Sequence, residues 1–294
     1  MWPRPLSGTF PQVGEDRRGK PSSMAVMRFG RIAAPEGMCF CTIEGDGDDI
    51  ANLTAKEIEG TPFTEIKHTG REWPLKDVRL LAPMLPSKVV AIGRNYADHV
   101  AEVFKESAEH LPPTLFLKPP TSVTGPGAPI RIPSFATKVE FEGELAVVIG
   151  KPCKNVKAAD WKSVVLGFTI VNDVSSRDLQ FADGQWARAK GIDTFCPLGP
   201  WIESDIDNFD LDNLPIKARL THDGVTELKQ DSNSIQMIMK MGEIIEFITA
   251  SMTLLPGDVI CTGSPAGTEA MVDGDFIEIE IPGLGKLGNP VEDA

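Results

Sequence analysis

The chain has 294 residues, with 42 Asp and Glu against 29 Lys and Arg, so its formal net charge is −13. A surface of that sign repels phosphate backbones and anionic headgroups, which excludes nucleic acid and an anionic membrane as partners. No apolar stretch nears the roughly 20 residues of a membrane-spanning helix, and the length suffices for one large catalytic core plus a small appendage.

Residues 1–23 mix Pro, Gly, Arg and Asp without periodicity and lack the apolar stretch of a secretory signal. They are predicted to be a disordered leader, an upstream extension of a coding region whose natural start is Met24 or Met27. From Met27 to about Leu81 the pattern is short strands and turns, so residues 24–81 are expected to form a small β-rich N-terminal domain. Its acidic turn Gly45-Asp-Gly-Asp-Asp49 places Glu57 twelve residues from Asp46 inclusive, the length of a calcium loop. Ala51 stands where that loop needs Gly and Ile50 where it needs an oxygen, so the segment reads as a solvated turn.

The Pro-containing stretch Leu81–Pro86 leads into the main body, expected over 82–294. Apolar runs predict strands at 89–93, 114–117, 144–150, 165–172, 216–221, 258–262 and 275–281. A short helix is expected at 97–104. A long one is expected over 234–249, where apolar residues recur at three and four spacing after the capping cluster Asp231-Ser-Asn233 and Met237 and Met241 read as core. Many strands and few helices make a mixed, β-rich α/β fold. The five cysteines, odd in number and without a C-x-x-C pair, read as reduced thiols of a cytoplasmic protein.

Chemistry concentrates at two places. Glu142-Gly-Glu144 opens a strand that becomes wholly apolar, and side chains two apart on a strand share a face with Cα atoms roughly 7 Å apart. A second apolar run ends in Asp173, inside the polar cluster Asn172–Gln180. Alternating acids alone are ordinary on a half-exposed strand. Three carboxylates converging from strand ends instead call for a divalent cation, and all-oxygen ligation favours Mg²⁺ or Mn²⁺ over zinc. The other place is the short helix at 97–104, where His99 and Glu102 lie three apart, the spacing at which a carboxylate orients an imidazole and raises its basicity.

These residues sit in longer blocks: Gly93-Arg-Asn-Tyr-Ala-Asp-His-Val-Ala-Glu102, Phe116-Leu-Lys-Pro-Pro120, Glu142–Gly150, Asn172–Gln180 and Thr262-Gly-Ser-Pro-Ala-Gly267. In this order and over about the last two hundred residues, the chain resembles the fumarylacetoacetate hydrolase family. The resemblance implies a β-sandwich-like roll, a homodimer, and Glu142, Glu144 and Asp173 as ligands of Mg²⁺ or Mn²⁺, with Glu140 just outside them. It also implies His99 and Glu102 as a catalytic dyad, and Lys190 as the lysine that stabilises developing enolate charge, with Arg188 as a fallback.

A dicarboxylate brought to an acidic site needs cations besides the metal, so Arg94 and Arg177 are expected to bind substrate together with Gln180 and Ser264 as hydrogen-bond donors. Lys118 reads equally well as structural. The implied substrate is a small 2-oxo acid. The implied reaction is decarboxylation of oxaloacetate to pyruvate, with acylpyruvate hydrolysis and 2-hydroxyhepta-2,4-diene-1,7-dioate isomerisation as alternatives and a noncatalytic metal-containing binding protein as the remote one.

Overall fold

The structure, a computed structural model, describes residues 27–105 and 113–294. The leader expected at 1–23 lies outside the described residues. Among those described, no helix is long and apolar enough to cross a membrane.

The strand Gly143–Ile149 shows how the molecule is layered. Its successive side chains point to opposite faces. Leu145, Val147 and Ile149 enter one apolar cluster together with Ile277, Ile279 and Leu287, and Ala146 and Val148 enter another with Val89 and Phe116. Both faces are therefore covered, which is why this run is apolar without alternation.

The strand is central in a twelve-stranded sheet whose main path runs His68–Pro74, Thr54–Ile58, Gly37–Glu44, Arg28–Ala34, Cys196–Glu203, Val165–Asn172, Gly143–Ile149, Val259–Cys261, Val89–Gly93 and Thr114–Lys118. A five-stranded sheet, Val225–Asn233, Pro215–His222, Phe276–Ile281, Gly285–Asp293 and Ile130–Ile132, packs across the larger cluster. The result is the β-rich, fumarylacetoacetate-hydrolase-like architecture expected from the sequence. The N-terminal strands extend the large sheet itself, since Arg28 and Phe29 pair with Glu203 and Ile202.

The long helix expected over 234–249 is not formed. Asn233 caps a single 3₁₀ turn, Ser234–Gln236, through its side-chain oxygen, and the α-helix spans Met241–Ser251. The intervening backbone is drawn off by Asn95 and Tyr96. Ile238 N–H donates to the Asn95 carbonyl at 2.8 Å, Met239 N–H to Asn95 Oδ1 at 2.7 Å, and Met237 bridges to Tyr96. The helix then restarts where the Lys240 N–H finds Glu243 Oε2 at 2.8 Å, with Met241, Ile244, Ile245 and Ile248 buried.

Asn95 is 2 % exposed, and its Nδ2 also donates to the Thr262 carbonyl at 2.7 Å. Asn95→Ala strands a buried carbonyl and the Met239 N–H, and is expected to cost about 3 kcal/mol, read as a lowered urea midpoint at unchanged m-value.

Candidate active site

Antiparallel register explains why three carboxylates meet. Gly143 pairs with Asn172 and Glu144 with Val171, so the residues just beyond the ladder, Glu142 and Asp173, face each other across neighbouring strand ends. Asp173 N–H donates to the Glu142 carbonyl at 2.8 Å, and Glu142 N–H donates to Asn172 Oδ1 at 2.9 Å, which holds the corner. The ligand-capable oxygens of Glu142, Glu144 and Asp173 lie within 4.8 Å of one another, and all three residues are buried.

Cations surround two of the three acids. Lys190 Nζ, at the end of the short helix Ala187–Lys190, lies 2.6 Å from Glu142 Oε2 and 2.7 Å from Asp173 Oδ2. The fully buried Lys118 donates to Asp173 Oδ1 at 2.5 Å and to the Val174 carbonyl at 3.2 Å. Arg177 opens the helix Arg177–Asp183. It reaches Glu142 Oε1 with Nη2 at 2.6 Å, Glu140 Oε2 with Nε at 2.7 Å, and Gln180 Oε1 with Nη1 at 2.8 Å.

Burial alone would raise the Glu142 pKa, but Lys190 and Arg177 hold it well below the usual carboxylate range. Glu144 goes the other way. Burial, then Asp173 and Glu142, push it well above that range, and its recorded partner is the Gly263 N–H at 2.7 Å. Gly263 has φ +99°, and a Cβ there would lie 2.7 Å from Asn95 Cβ, so glycine is needed for this approach. Burial works against charge on Lys190 too, yet Asp173 and Glu142 raise its pKa and keep it an ammonium.

His99 lines the same cavity, and Glu102 stands behind it. His99 Nδ1 lies 3.4 Å from Glu102 Oε2 and His99 Nε2 lies 3.6 Å from Glu142 Oε1. Glu102 is held in turn by the Gly267 N–H, 3.1 Å from each oxygen. Burial would lower the His99 pKa, but Glu102 and Glu142 carry it above the ordinary imidazole value.

Arg94, in the left-handed region at φ 66°, lays its guanidinium 4.8 Å from the Phe104 ring centroid, and its buried Nε has no hydrogen-bond partner among the described residues. Phe104 stacks on Trp186, whose edge meets Phe116, so one wall of the cavity is aromatic.

The three acids, His99, Lys190, Arg94, Arg177, Gln180 and Ser264 gather here, with Glu102 behind His99 and with differences of detail. Glu142 stands just before its strand rather than on it. The Ser264 hydroxyl is already engaged, accepting from Gln230 Nε2 at 2.9 Å and lying 3.3 Å from the Gly143 carbonyl. Arg188 pairs with Asp183 at the surface, so the fallback for Lys190 drops out. His68 and His222 lie elsewhere, against Thr42 and Asp275, and His110 is outside the described residues. Lys118, left open by the sequence, is part of the charge cluster. Thr268, which donates to Glu140 at 3.0 Å, and Gln230 were missed; neither carries a charge or a spacing that marks it.

The donor set fits a hard divalent cation. Every candidate ligand is a carboxylate oxygen. Glu144 commits only Oε2 to the backbone, which leaves its Oε1 for a cation, while the oxygens of Glu142 and Asp173 face Arg177, Lys190 and Lys118.

Comparison with known proteins gives the same grouping. The family model described as fumarylacetoacetate (FAA) hydrolase C-terminal matches residues 88–292, and an Rv2993c-like N-terminal model matches 27–83. Protein Rv2993c of Mycobacterium tuberculosis is 52 % identical over 265 residues, 90 % of this chain and 98 % of that protein. A Xenopus laevis protein named mitochondrial oxaloacetate tautomerase fahd2 is 41 % identical over 229 residues, 73 % of this chain and 69 % of its own length.

Among solved structures, Cg1458 with inhibitor is 90 % identical with a TM-score of 0.90, covering 91 % of this chain and all 100 % of the other. A 2-hydroxyhepta-2,4-diene-1,7-dioate isomerase from Mycobacterium marinum is 50 % identical with a TM-score of 0.82, covering 91 % and 98 %. Maleylpyruvate hydrolase from Sphingobium sp. SYK-6, solved with manganese(II) and pyruvate, is 28 % identical with a TM-score of 0.71, covering 91 % and 100 %.

Proposed function

The chain belongs to the fumarylacetoacetate hydrolase family, and from that membership and the geometry of the site we propose that it decarboxylates oxaloacetate to pyruvate and CO₂. The observation that carries this reading is the Lys190 ammonium set between Glu142 and Asp173, a fixed positive charge at the acid cluster. Glu142, Glu144 and Asp173 would hold Mg²⁺ or Mn²⁺, which when bound supplies Lewis acidity to the oxygens of a 2-oxo acid.

The protein's own groups do the rest. When the C3–C4 bond breaks, its electron pair stays on C3 and delocalises onto the C2 oxygen, and Lys190 and Arg177 provide positive charge for the enolate so formed. Arg94, without an anionic partner among the described residues, receives the second carboxylate. Gln180 keeps its Nε2 available as a donor, because Arg177 uses only its oxygen. His99, oriented by Glu102, returns a proton to C3. The aromatic wall of Phe104 and Trp186, with Phe116 packed against Trp186, limits water around the enolate.

A second reading, keto–enol tautomerisation of oxaloacetate, is favoured by the His99–Glu102 pair. An acid–base group beside the cavity can move a proton without breaking a carbon–carbon bond, and the Xenopus relative carries that name. The reading also includes a homodimer of chains in which 82–294 forms the catalytic domain and 24–81 the N-terminal one, working in the cytoplasm.

The test is a substrate panel with purified protein and Mn²⁺ or Mg²⁺. Pyruvate release from oxaloacetate, loss of enol absorbance, cleavage of acetylpyruvate and isomerisation of the hydroxydienedioate are compared as kcat/KM. Pyruvate release dominating the panel supports decarboxylation. Enol loss without pyruvate replaces it with tautomerisation, and turnover of acetylpyruvate or the dienedioate alone removes both.

A further inference from the structure

The acid triad and the His99–Glu102 dyad come from different parts of the chain, yet one uncharged side chain touches both the backbone between the two triad glutamates and the loop whose Gly267 N–H holds Glu102. Gln230 belongs to Val225–Asn233, an edge strand of the five-stranded sheet, and is fully buried. Its Oε1 accepts from Gly143 N–H at 3.0 Å, and its Nε2 donates to Ser264 Oγ at 2.9 Å and to the Pro265 carbonyl at 2.7 Å. The amide orientation is forced, because a backbone N–H can only donate and a carbonyl can only accept.

Gly143 is the residue between the two glutamates of the triad, and a Cβ on it would stand 2.9 Å from Gln230 Oε1, so the amide sits against the bare backbone. On its other side Gln230 fixes the loop whose Gly263 N–H holds Glu144 and whose Gly267 N–H holds Glu102. The same loop is pinned once more next door, where a Cβ on Gly267 would lie 2.1 Å from the Lys229 carbonyl.

We infer that Gln230 is a positioning residue that sets the spacing between the carboxylate cluster and the His99–Glu102 pair, holding Gly143 with its oxygen and the 263–267 loop with its nitrogen. The inference rests on the divalent-cation reading of Glu142, Glu144 and Asp173. A backbone clamp beside ligands acts as outer partners of a metal site do, where loss typically changes metal affinity or activity by about 10–100-fold. Two substitutions separate the halves of the clamp. Gln230→Met removes both, whereas Gln230→Glu keeps an acceptor for Gly143 N–H and loses at least one of the two donors to the loop, since a carboxyl has one O–H when protonated and none when ionised.

The experiment measures Mn²⁺ binding by the electron paramagnetic resonance signal of free Mn²⁺, together with pH–rate profiles on oxaloacetate. Gln230→Met is expected to weaken Mn²⁺ by about tenfold or more and to lower kcat with little change in KM. Gln230→Glu is expected to bind Mn²⁺ within about threefold of wild type while the limb of the pH profile set by the dyad moves and kcat falls, on the same outer-partner logic. Should Gln230→Met not fold, Gln230→Glu decides alone. A wild-type pH profile and kcat in Gln230→Glu overturns the inference, as does wild-type Mn²⁺ affinity in folded Gln230→Met. If wild type itself binds no Mn²⁺, the cation reading falls and the inference falls with it, an outcome distinct from equal binding by wild type and variant.

Discussion

Glu144→Ala is expected to abolish metal-dependent turnover while leaving the metal-free protein at least as stable as wild type. The three acids look equivalent in sequence, and each would be expected to give up metal without harm to the fold. Their surroundings differ. Glu142 faces Lys190, Arg177 and His99, and Asp173 faces Lys118 and Lys190, whereas Glu144 has a backbone N–H and two like charges.

Removing Glu144 therefore takes away the acid that burial and two like charges disfavour in the metal-free state, while removing Asp173 leaves Lys118 without its counter-charge and removing Glu142 takes one of two from Lys190 and from Arg177, a loss of up to about 3–5 kcal/mol for broken buried pairs. Melting in EDTA should rank Glu144→Ala at or above wild type and the other two below it. All three should lose Mn²⁺ affinity by at least about 100-fold, beyond what outer partners cost, with turnover lost in parallel and EDTA reproducing the loss in wild type until Mn²⁺ or Mg²⁺ is restored. Turnover by demonstrably metal-free protein would remove the central claim.

The second large effect separates Lys190 from His99. Lys190→Ala withdraws the charge that faces the enolate and should damage oxaloacetate decarboxylation more than His99→Ala does. On acetylpyruvate, where a water must be deprotonated to attack a carbonyl, His99→Ala removes the base and should cost on the order of 10²–10⁴-fold in kcat. The order of damage therefore reverses between the two substrates when both variants are assayed at one pH with saturating Mg²⁺. Equal losses for His99→Ala on both would show that the dyad serves a step common to the two reactions.

Much of the site could be read from the chain because antiparallel pairing turns local patterns into neighbours. An apolar run opening with Glu-x-Glu and another closing in Asp need only lie side by side, and Gly143 opposite Asn172 achieves it. What escaped reading depends on partners distant in sequence. The strand Cys196–Glu203 contains Pro197, Gly199 and Pro200, which argue against a central strand. It is nonetheless paired on both sides, with a register shift against Val165–Asn172. Val225–Asn233 is nearly all polar because it lies at a sheet edge, and its one fully buried residue, Gln230, has no apolar signal. The 234–249 pattern has helical spacing throughout, but Asn95 outcompetes its first turns for backbone hydrogen bonds. Lys118 looked undecided because its partner, Asp173, is 55 residues away.

The parallel pairing of Val89–Gly93 with Val259–Cys261 ties together segments about 170 residues apart. That separation governs the order of events during synthesis. When Glu142, Glu144 and Asp173 have left the ribosome, Gly263 and Gly267 have not, so Glu144 and Glu102 lack their backbone donors until about ninety more residues have emerged. Non-local strand pairing of this kind is slow, and incomplete chains expose unpaired edges. A nascent chain stalled before residue 259 would carry the acids of the site without the strand and loop that hold them apart from solvent. On the divalent-cation reading, tight binding would then arise in one late step, as Val259–Cys261 enters the large sheet and the 263–267 loop follows it.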